Sequence, residues 1–220
     1  MDNEASRVNR PRQAARAAYN RISRWYDALA HSERRFVDAG LRMLAVQAGE
    51  RVLEIGCGTG YALVPIARAA GASGLAVGLD IAEGMLAAAR ARLERAELPR
   101  RPPLMMADAV ALPFTDGAFD AVFMAFTLEL FDTPDIPLVL AECARVLHPG
   151  GRLGVVALSR EGGGRMVRLY EWAHRRWPVW VDCRPIYARR ALEDAGFRIV
   201  RAVEARMWGL PVEIVAAARV

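Results

Sequence analysis

A strand followed by a glycine-rich turn constrains the fold of this chain more than any other stretch. Residues 52–60 read V-L-E-I-G-C-G-T-G. The apolar run suits a buried parallel strand, and the glycines end it in a tight turn. Gly56, Gly58 and Gly60 leave no side chain to hold a ligand away from the backbone. Residues 61–70 have helical apolar spacing, so the first N–H groups of that helix are predicted to face a ligand on the turn.

Strand patterns and helix patterns alternate along the rest of the chain. The predicted strands cover residues 51–55, 74–79, 104–106, 119–124, 152–158, 197–202 and 212–217. The predicted helices cover residues 12–30, 32–47, 61–70, 81–94 and 136–147. This alternation predicts an α/β fold with a doubly wound, seven-stranded, mostly parallel sheet and helices on both faces. Because a short loop joins the last two strands, the last strand is predicted to be antiparallel.

Length and composition favour one domain around one core, since the chain has 220 residues of which 54% are hydrophobic. No apolar run reaches the roughly 18 residues of a membrane-spanning helix. The first residues carry no apolar segment typical of a secretory signal, so we expect a cytoplasmic protein. Three cysteines without C-x-x-C spacing, Cys57, Cys143 and Cys183, predict neither a disulfide framework nor a metal site.

The net charge of +5 comes entirely from arginine, because none of the 30 basic residues is lysine. Lysine is therefore excluded as a Schiff-base or general-base residue. The 25 acidic residues are interspersed with the arginines, and only residues 7–24 form a stretch with several arginines and no acidic residue. This segment overlaps the predicted basic, amphipathic helix 12–30. That helix has three interpretations: packing on the domain, covering the ligand site, or peripheral contact with a membrane surface.

Two carboxylates indicate what kind of ligand lies on the turn. Glu54 precedes the first glycine by two positions and would repel a pyrophosphate, so it favours a ligand that is cationic at that point. Asp80 ends the next predicted strand, where an ionised carboxylate accepts hydrogen bonds from the two hydroxyls of a ribose. The third glycine also comes one position earlier than in G-x-G-x-x-G. Together these features favour a cationic nucleoside over a dinucleotide.

Four motifs then occur in order: E-I-G-C-G-T-G, G-L-D-I-A-E-G-M-L, D-A-V-A-L-P-F-x-D-G-x-F-D and R-V-L-H-P-G-G-R-L. In these motifs the chain resembles the class I S-adenosylmethionine-dependent methyltransferases, over roughly residues 19–158. Within that family it looks like the branch of the menaquinone and ubiquinone biosynthesis C-methyltransferases. The resemblance implies a Rossmann-like fold and S-adenosylmethionine as cofactor, with S-adenosylhomocysteine as product. We expect a single methyltransferase domain with an N-terminal helical lid at 1–47, a cofactor-binding core at 48–158, a substrate-side cap insertion at 159–190 and C-terminal strands at 191–220.

The resemblance assigns a role to each matched position. Glu54 and the loop residues Gly56, Cys57, Gly58 and Gly60 would hold the methionine part. Asp80 would bind the ribose, with Ile81 and Met85 against the adenine. Asp108 and the Ala109 N–H would bind the adenine edge, and Ala125 and Phe126 would lie under the sulfonium. Tyr26, and less directly Tyr19, would cover the methionine end, as does the Tyr-Asp element of quinone and phospholipid methyltransferases.

The methyl acceptor is not specified by any motif. A quinol carbon needs a base to deprotonate its hydroxyl, and the candidates near the carboxyl ends of the strands are His174 and Glu129, followed by Asp132, Asp182 and His31. The segment 159–190 is rich in arginine and aromatic residues, which favours a small or lipidic acceptor.

We expect C-methylation of a prenylated quinol. The alternatives are N-methylation of a phospholipid head group and a non-catalytic S-adenosylmethionine-binding protein. No nucleic-acid acceptor is expected, because the M-A-F-T-L segment after the fourth strand lacks the Asn/Asp-Pro-Pro-aromatic cluster of amino-methylating DNA enzymes.

Overall fold

The computed structural model describes residues 30–162, 164–176 and 183–220. Its strands form one seven-stranded sheet in the order β3-β2-β1-β4-β5-β7-β6. The strands are β1 Arg51–Ile55, β2 Leu75–Asp80, β3 Leu104–Met106, β4 Phe119–Ala125, β5 Leu147–Leu158, β6 Phe197–Met207 and β7 Leu210–Arg219. Neighbours from β3 to β5 are parallel, and β7 is antiparallel to both β5 and β6. The predicted α/β fold with an antiparallel last strand is confirmed.

Helices cover both faces of the sheet. They are α1 Arg34–Leu44, α2 Leu63–Ala70, α3 Glu83–Arg95, α4 Ile136–Val146, α5 Gly164–Arg176 and α6 Ala188–Asp194, with 3₁₀ turns at Ala30–Glu33 and Leu128–Leu130. Buried residues of α1, α2 and α5 share one apolar cluster on one face. Those of α4 and α6 share the cluster on the other face. The predicted helix 12–30 lies, apart from Ala30, outside the described residues.

The structure differs from the sequence-based boundaries mainly around the fifth, sixth and last strands. The His-Pro-Gly-Gly segment 148–151 was expected to separate a helix from a strand, yet it belongs to β5, which begins at Leu147. A register shift between Phe119 and Ala121 of β4 accommodates it, because Leu147 pairs with Phe119 while Arg152 pairs with Ala121. β6 and β7 extend well beyond the predicted 197–202 and 212–217, and they join in a tight hairpin at Trp208 and Gly209.

Helix α1 lies directly on the sheet. A Cβ added at Gly40 would come 2.5 Å from the Val156 methyl Cγ2 and 3.1 Å from the Phe123 ring, so only glycine allows this distance. The contact places the first turn of α1 over the carboxyl ends of the central strands. The ends of β1 and β4 meet at the same edge of the sheet, which is where a doubly wound fold binds its ligand.

No helix in the described part of the chain combines the length and the apolar character needed to cross a membrane.

Candidate functional site

The glycine loop is tied to the ends of two neighbouring strands. The N–H groups of Gly56 and Cys57 both donate to the Leu79 carbonyl at 2.8 and 2.9 Å. The Gly58 N–H donates to the Asp80 carboxylate at 2.9 Å. These bonds hold the loop that follows β1 against the end of β2.

The three glycines of the loop are needed for different reasons, although each has a positive φ, +69° at Gly56, +51° at Gly58 and +77° at Gly60. A Cβ at Gly56 would lie 2.4 Å from the Thr127 side chain, and one at Gly60 would lie 3.2 Å from Ala89 of α3. A Cβ at Gly58 would meet no atom within 4 Å. Gly56 and Gly60 therefore allow close packing, whereas Gly58 borders open space.

That open space is a cavity of about 510 Å³, a volume that includes its open mouth. Six of the predicted cofactor residues line it, and they come from the end of β1, the loop and the end of β4. They are Glu54, Gly56, Cys57, Gly58, Ala125 and Phe126. The opposite wall is formed by the 3₁₀ turn and α1 through Glu33, Arg34 and Val37.

Two buried carboxylates give the loop its electrostatic character. Glu54 is 4% exposed and Asp80 is 9% exposed. Burial, reinforced by the charge of Asp80, raises the pKa of Glu54 well above its ordinary value. Burial also raises the pKa of Asp80, against the lowering effect of hydrogen bonds from the N–H groups of Ala82, Gly58 and Ile81. A cation beside Glu54 would relieve both the desolvation and the repulsion.

The Oε2 atom of Glu54 is the clearest indication of where a ligand binds. This atom is buried and has no hydrogen-bond partner among the described residues. Leaving a buried carboxylate oxygen without a donor is costly, so such atoms are rare unless a ligand completes them. Glu54 lines the cavity, and the cavity is where a donor would have to lie.

Phe126 shapes the same cavity with a strained backbone. Its φ is +50°, a conformation that bulky residues seldom adopt. The Phe126 N–H donates to the Val156 carbonyl at 2.7 Å, and its ring meets Phe36 of α1 edge to face at 6.4 Å. These contacts hold the chain at the end of β4 in place beside Ala125.

The remaining predicted cofactor residues lie one strand further along the sheet edge. Asp80 pairs with Met106 at the end of β3, two residues before Asp108. Met85 is fully buried in the first turns of α3, and Ala109 is buried as well. The structure therefore places Asp80, Ile81, Met85, Asp108 and Ala109 around neighbouring strand ends, but outside the wall of the cavity beside Glu54.

Glu129 is buried in the 3₁₀ turn after β4, with 0% of its surface exposed. Its Oε1 accepts a hydrogen bond from the Leu158 N–H at 3.1 Å, and its buried Oε2 has no partner within the described ranges. Burial raises the pKa of Glu129 to about 8. The Glu129 side chain does not line the cavity. Glu129 can therefore exchange a proton only with an acceptor molecule that binds directly against its carboxylate.

The other predicted base candidates are scattered. His174 belongs to α5, and its side chain is outside the described part of the structure. Asp182 also lies outside the described residues, as do Tyr26 and Tyr19, which were predicted to cover the cofactor. His31 is exposed in the first 3₁₀ turn, and Asp132 accepts a hydrogen bond from the Thr133 N–H. Of these candidates, the structure brings Glu129 nearest to the ends of the central strands.

Sequence reasoning expected a helical lid over residues 1–47 but named no residue of α1 at the site. Glu33, Arg34 and Val37 carry no motif, and they reach the cavity only because α1 packs on the distant strands β4 and β5. Tyr61 had a weak local signal, since it directly follows Gly60. Its hydroxyl contacts the Asp38 carboxylate at 3.1 Å, and the Arg34 guanidinium lies 5.1 Å above its ring.

Comparisons with known proteins agree with this geometry. A family model described as a methyltransferase domain matches residues 52–151. The chain is 37% identical over 119 residues to a demethylmenaquinone methyltransferase of Lactobacillus johnsonii, covering 54% of this chain and 48% of the relative. It is 39% identical over 135 residues to a ubiquinone/menaquinone biosynthesis C-methyltransferase of Dinoroseobacter shibae, covering 61% and 52%.

The chain carries a methyltransferase domain at residues 52–151, and it is similar to methyltransferases of quinone biosynthesis. It spans about half the length of the curated relatives it matches. Among solved structures, the [4+2]-cyclase SpnF has the same fold, with a TM-score of 0.76 and 20% identity over 98% of this chain and 99% of the other. The resemblance to the quinone-biosynthesis branch and the assignment of S-adenosylmethionine as cofactor are confirmed.

The residues present fit that cofactor. Its ammonium and sulfonium groups are cationic, and the unpartnered Glu54 carboxylate favours a cation. The cofactor can approach the backbone of the loop at Gly58, where no side chain intervenes. Within the described residues no group of three or more His, Cys, Asp and Glu side chains is arranged to hold a metal ion.

Replacing Gly58 tests whether the cavity is the cofactor site. Gly58→Val should lower the affinity for S-adenosylmethionine about tenfold or more, because the new side chain would occupy the open space. Gly71→Val is the matched control, since Gly71 also has a positive φ and nothing within 4 Å of its Cβ position but lies at the end of α2. Both should lose about 1–3 kcal/mol of stability. Titration calorimetry that finds equal affinities in the two variants would contradict the assignment.

Replacing Glu54 should raise the stability of the ligand-free protein and lower its affinity for S-adenosylmethionine. The folded-state pKa of Glu54 is raised, so the folded protein binds more protons than the unfolded chain and loses stability as pH rises above about 4. Glu54→Gln removes that loss. The ligand-free variant should unfold at a higher temperature than the wild type at neutral pH, and the difference should shrink as pH falls. Its affinity for S-adenosylmethionine should drop about tenfold or more, as measured by calorimetry.

The control for this experiment is Glu50→Gln. Burial acts to raise the pKa of Glu50, but hydrogen bonds from Arg152 and the Gln47 N–H lower it overall. Removing that carboxylate should therefore destabilise the protein at neutral pH and leave cofactor affinity unchanged. A destabilised Glu54→Gln protein would show that the carboxylate is satisfied without a ligand.

Proposed function

We propose that this chain methylates a carbon atom of a prenylated quinol, with S-adenosylmethionine as the methyl donor. The observation that carries the proposal is the cavity at the glycine loop, where an unpartnered buried carboxylate lies beside open backbone. Similarity to demethylmenaquinone and ubiquinone/menaquinone biosynthesis methyltransferases supports the quinol acceptor.

In this proposal, each predicted cofactor residue that the structure describes keeps its place along the sheet edge. Glu54, with the loop residues Gly56, Cys57, Gly58 and Gly60, binds the methionine part. Asp80 keeps the loop in place through Gly58, and its carboxylate, which offers about four acceptor sites to three N–H donors, retains capacity for a ribose hydroxyl. The adenine lies among Ile81, Met85, Asp108 and Ala109, while Ala125 and Phe126 border the sulfonium and Tyr26 covers the methionine end. When bound, S-adenosylmethionine supplies a methyl group activated by a cationic sulfur.

The chain must then hold the acceptor in line and remove a proton from it. Alignment of the two reacting atoms supplies much of the acceleration of such a displacement. Deprotonating a quinol hydroxyl makes the neighbouring ring carbon nucleophilic, and this requires a base with a pKa near the working pH. Glu129 meets that condition, because its pKa is about 8. His174 is the second candidate.

Helix α5 supports an apolar acceptor. Val167 of α5 is 4% exposed and belongs to the same apolar cluster as Phe126 and Leu158. Tyr170 packs against that cluster as well. The helix thus covers the carboxyl ends of β4 and β5 with apolar and aromatic surface, which suits an aromatic head with an apolar tail.

An acceptor assay tests the proposal. The protein is incubated with methyl-labelled S-adenosylmethionine and, in separate reactions, a prenylated naphthoquinol, a phosphatidylethanolamine dispersion and the corresponding oxidised quinone. Label should enter the quinol and neither of the others, because the quinone has no hydroxyl to deprotonate. Label in phosphatidylethanolamine would overturn the quinol acceptor. Cofactor binding without label in any lipid would favour a non-catalytic binding protein.

A pH profile tests the role of Glu129. Below about pH 8 the wild-type rate should rise about tenfold per pH unit, because only the ionised carboxylate accepts a proton. Glu129→Gln should lower the rate about 10²-fold or more and remove this dependence, while cofactor affinity stays unchanged.

The control for Glu129 is Glu213→Gln. Glu213 is also a buried carboxylate whose pKa is raised by burial, but it belongs to β7 and pairs with Ala157. That variant should keep the pH profile of the wild type. A Glu129→Gln enzyme with an unaltered profile would transfer the role of base to His174, to be examined in His174→Asn.

A further inference from the structure

The hairpin between β6 and β7 ends in an exposed tryptophan. Trp208 has 71% of its surface exposed and a φ of +51°. A bulky residue in this conformation is strained, and glycine or asparagine is the ordinary choice at such a turn position. A large apolar side chain at this position gains nothing from the fold, so a function outside the folded core is indicated.

Helix α5 contacts the hairpin and exposes a second tryptophan. Met166 is 44% exposed, and its terminal methyl lies 3.6 Å from the Cβ position of Gly209 in the hairpin. Six residues later, and about 120° around the helix axis from Met166, Trp172 is 51% exposed. Trp172 and Trp208 are the tryptophans within the described ranges, and both face solvent. The surface formed by Met166, Trp172 and Trp208 is called the tryptophan surface below.

Arginines frame the tryptophan surface. Arg168, Trp172 and Arg176 follow one another at four-residue steps on α5, and all three are exposed. This spacing places them on one stripe of the helix. On the hairpin, Arg206 is exposed and its guanidinium donates to the Gly209 carbonyl at 3.3 Å. The same segment exposes one carboxylate, Glu204.

Charge decides which partner fits. A second copy of this surface would bring arginines against arginines. Residues 1–29 carry six arginines and three acidic residues, so they share the sign of the surface. The exposed arginines therefore favour an anionic partner. Tryptophan at the level of lipid head groups, with arginine beside it, is typical of membrane interfaces.

We propose that the tryptophan surface docks on an anionic lipid bilayer, with Trp208 and Trp172 at the head-group level and the flanking arginines against lipid phosphates. The docked surface adjoins the cavity, because Arg35 of α1 donates to the Arg206 carbonyl at 2.7 Å while the preceding Arg34 lines the cavity wall. The purpose of docking rests on the proposed function, since a prenylated acceptor resides in the bilayer. The binding itself does not depend on that function.

Co-sedimentation with vesicles tests the proposal. The full chain should bind phosphatidylcholine vesicles that contain phosphatidylglycerol and bind pure phosphatidylcholine vesicles about tenfold or more weakly. Arg168→Glu combined with Arg176→Glu should lower binding to the anionic vesicles about tenfold or more. The matched control is Arg198→Glu combined with Arg201→Glu, which changes the net charge equally at the other end of β6. Equal binding by the two double variants would overturn the proposal.

Trp208→Gly separates binding from folding. Glycine relieves the positive φ, so the thermal unfolding temperature should stay the same or rise, while binding to anionic vesicles should fall about fivefold or more. Binding that survives this replacement would overturn the role of the hairpin.

Two further readouts identify the partner class. If a single-stranded oligonucleotide binds and displaces the vesicles, the partner is nucleic acid and the proposal of membrane docking is overturned. Vesicle binding that depends on these residues while no lipid accepts label would leave the docking surface intact and refute the proposed function alone.

Discussion

The hydrogen bond between the Gly58 N–H and the Asp80 carboxylate is the interaction on which the site depends. It joins the loop after β1 to the end of β2 across the sheet edge, and the second Asp80 oxygen accepts from the Ala82 N–H at the start of α3. The carboxylate must stay ionised to hold both donors well, yet it is buried next to Glu54. The protein thus buries two carboxylates close together, which destabilises the ligand-free fold. A cationic ligand that relieves this desolvation and repulsion binds more tightly as a result.

Much of this arrangement follows from local sequence. The strand, the three glycines and the next helix lie within twenty residues, and Asp80 ends the following strand, so their meeting at one sheet edge needs only the parallel topology. The same reasoning located the strand ends that carry Asp108 and Ala125. The antiparallel pairing of the last strands followed from the short connection between them.

What sequence did not reveal depends on contacts between distant segments. The α1 wall of the cavity exists because Gly40 fits against Phe123 and Val156, more than eighty residues away. The start of β5 at Leu147 depends on its partner Phe119, so the Pro-Gly-Gly segment reads as a break until β4 is in place. The burial of Glu129 likewise requires the Leu158 N–H, which is free only because β4 has already ended.

The absence of a side chain at Gly40 has a mechanical consequence. A helix that touches a sheet through its own backbone cannot tilt or slide without losing that contact, so the Glu33–Val37 side of the cavity moves with the sheet as one body. Helix α5 reaches the core through side chains such as Val167 and Tyr170, which repack at lower cost. The two walls therefore differ in stiffness. Substitutions in α5 can therefore change which acceptor enters the site, while the part of the cavity that binds the methyl donor keeps its dimensions.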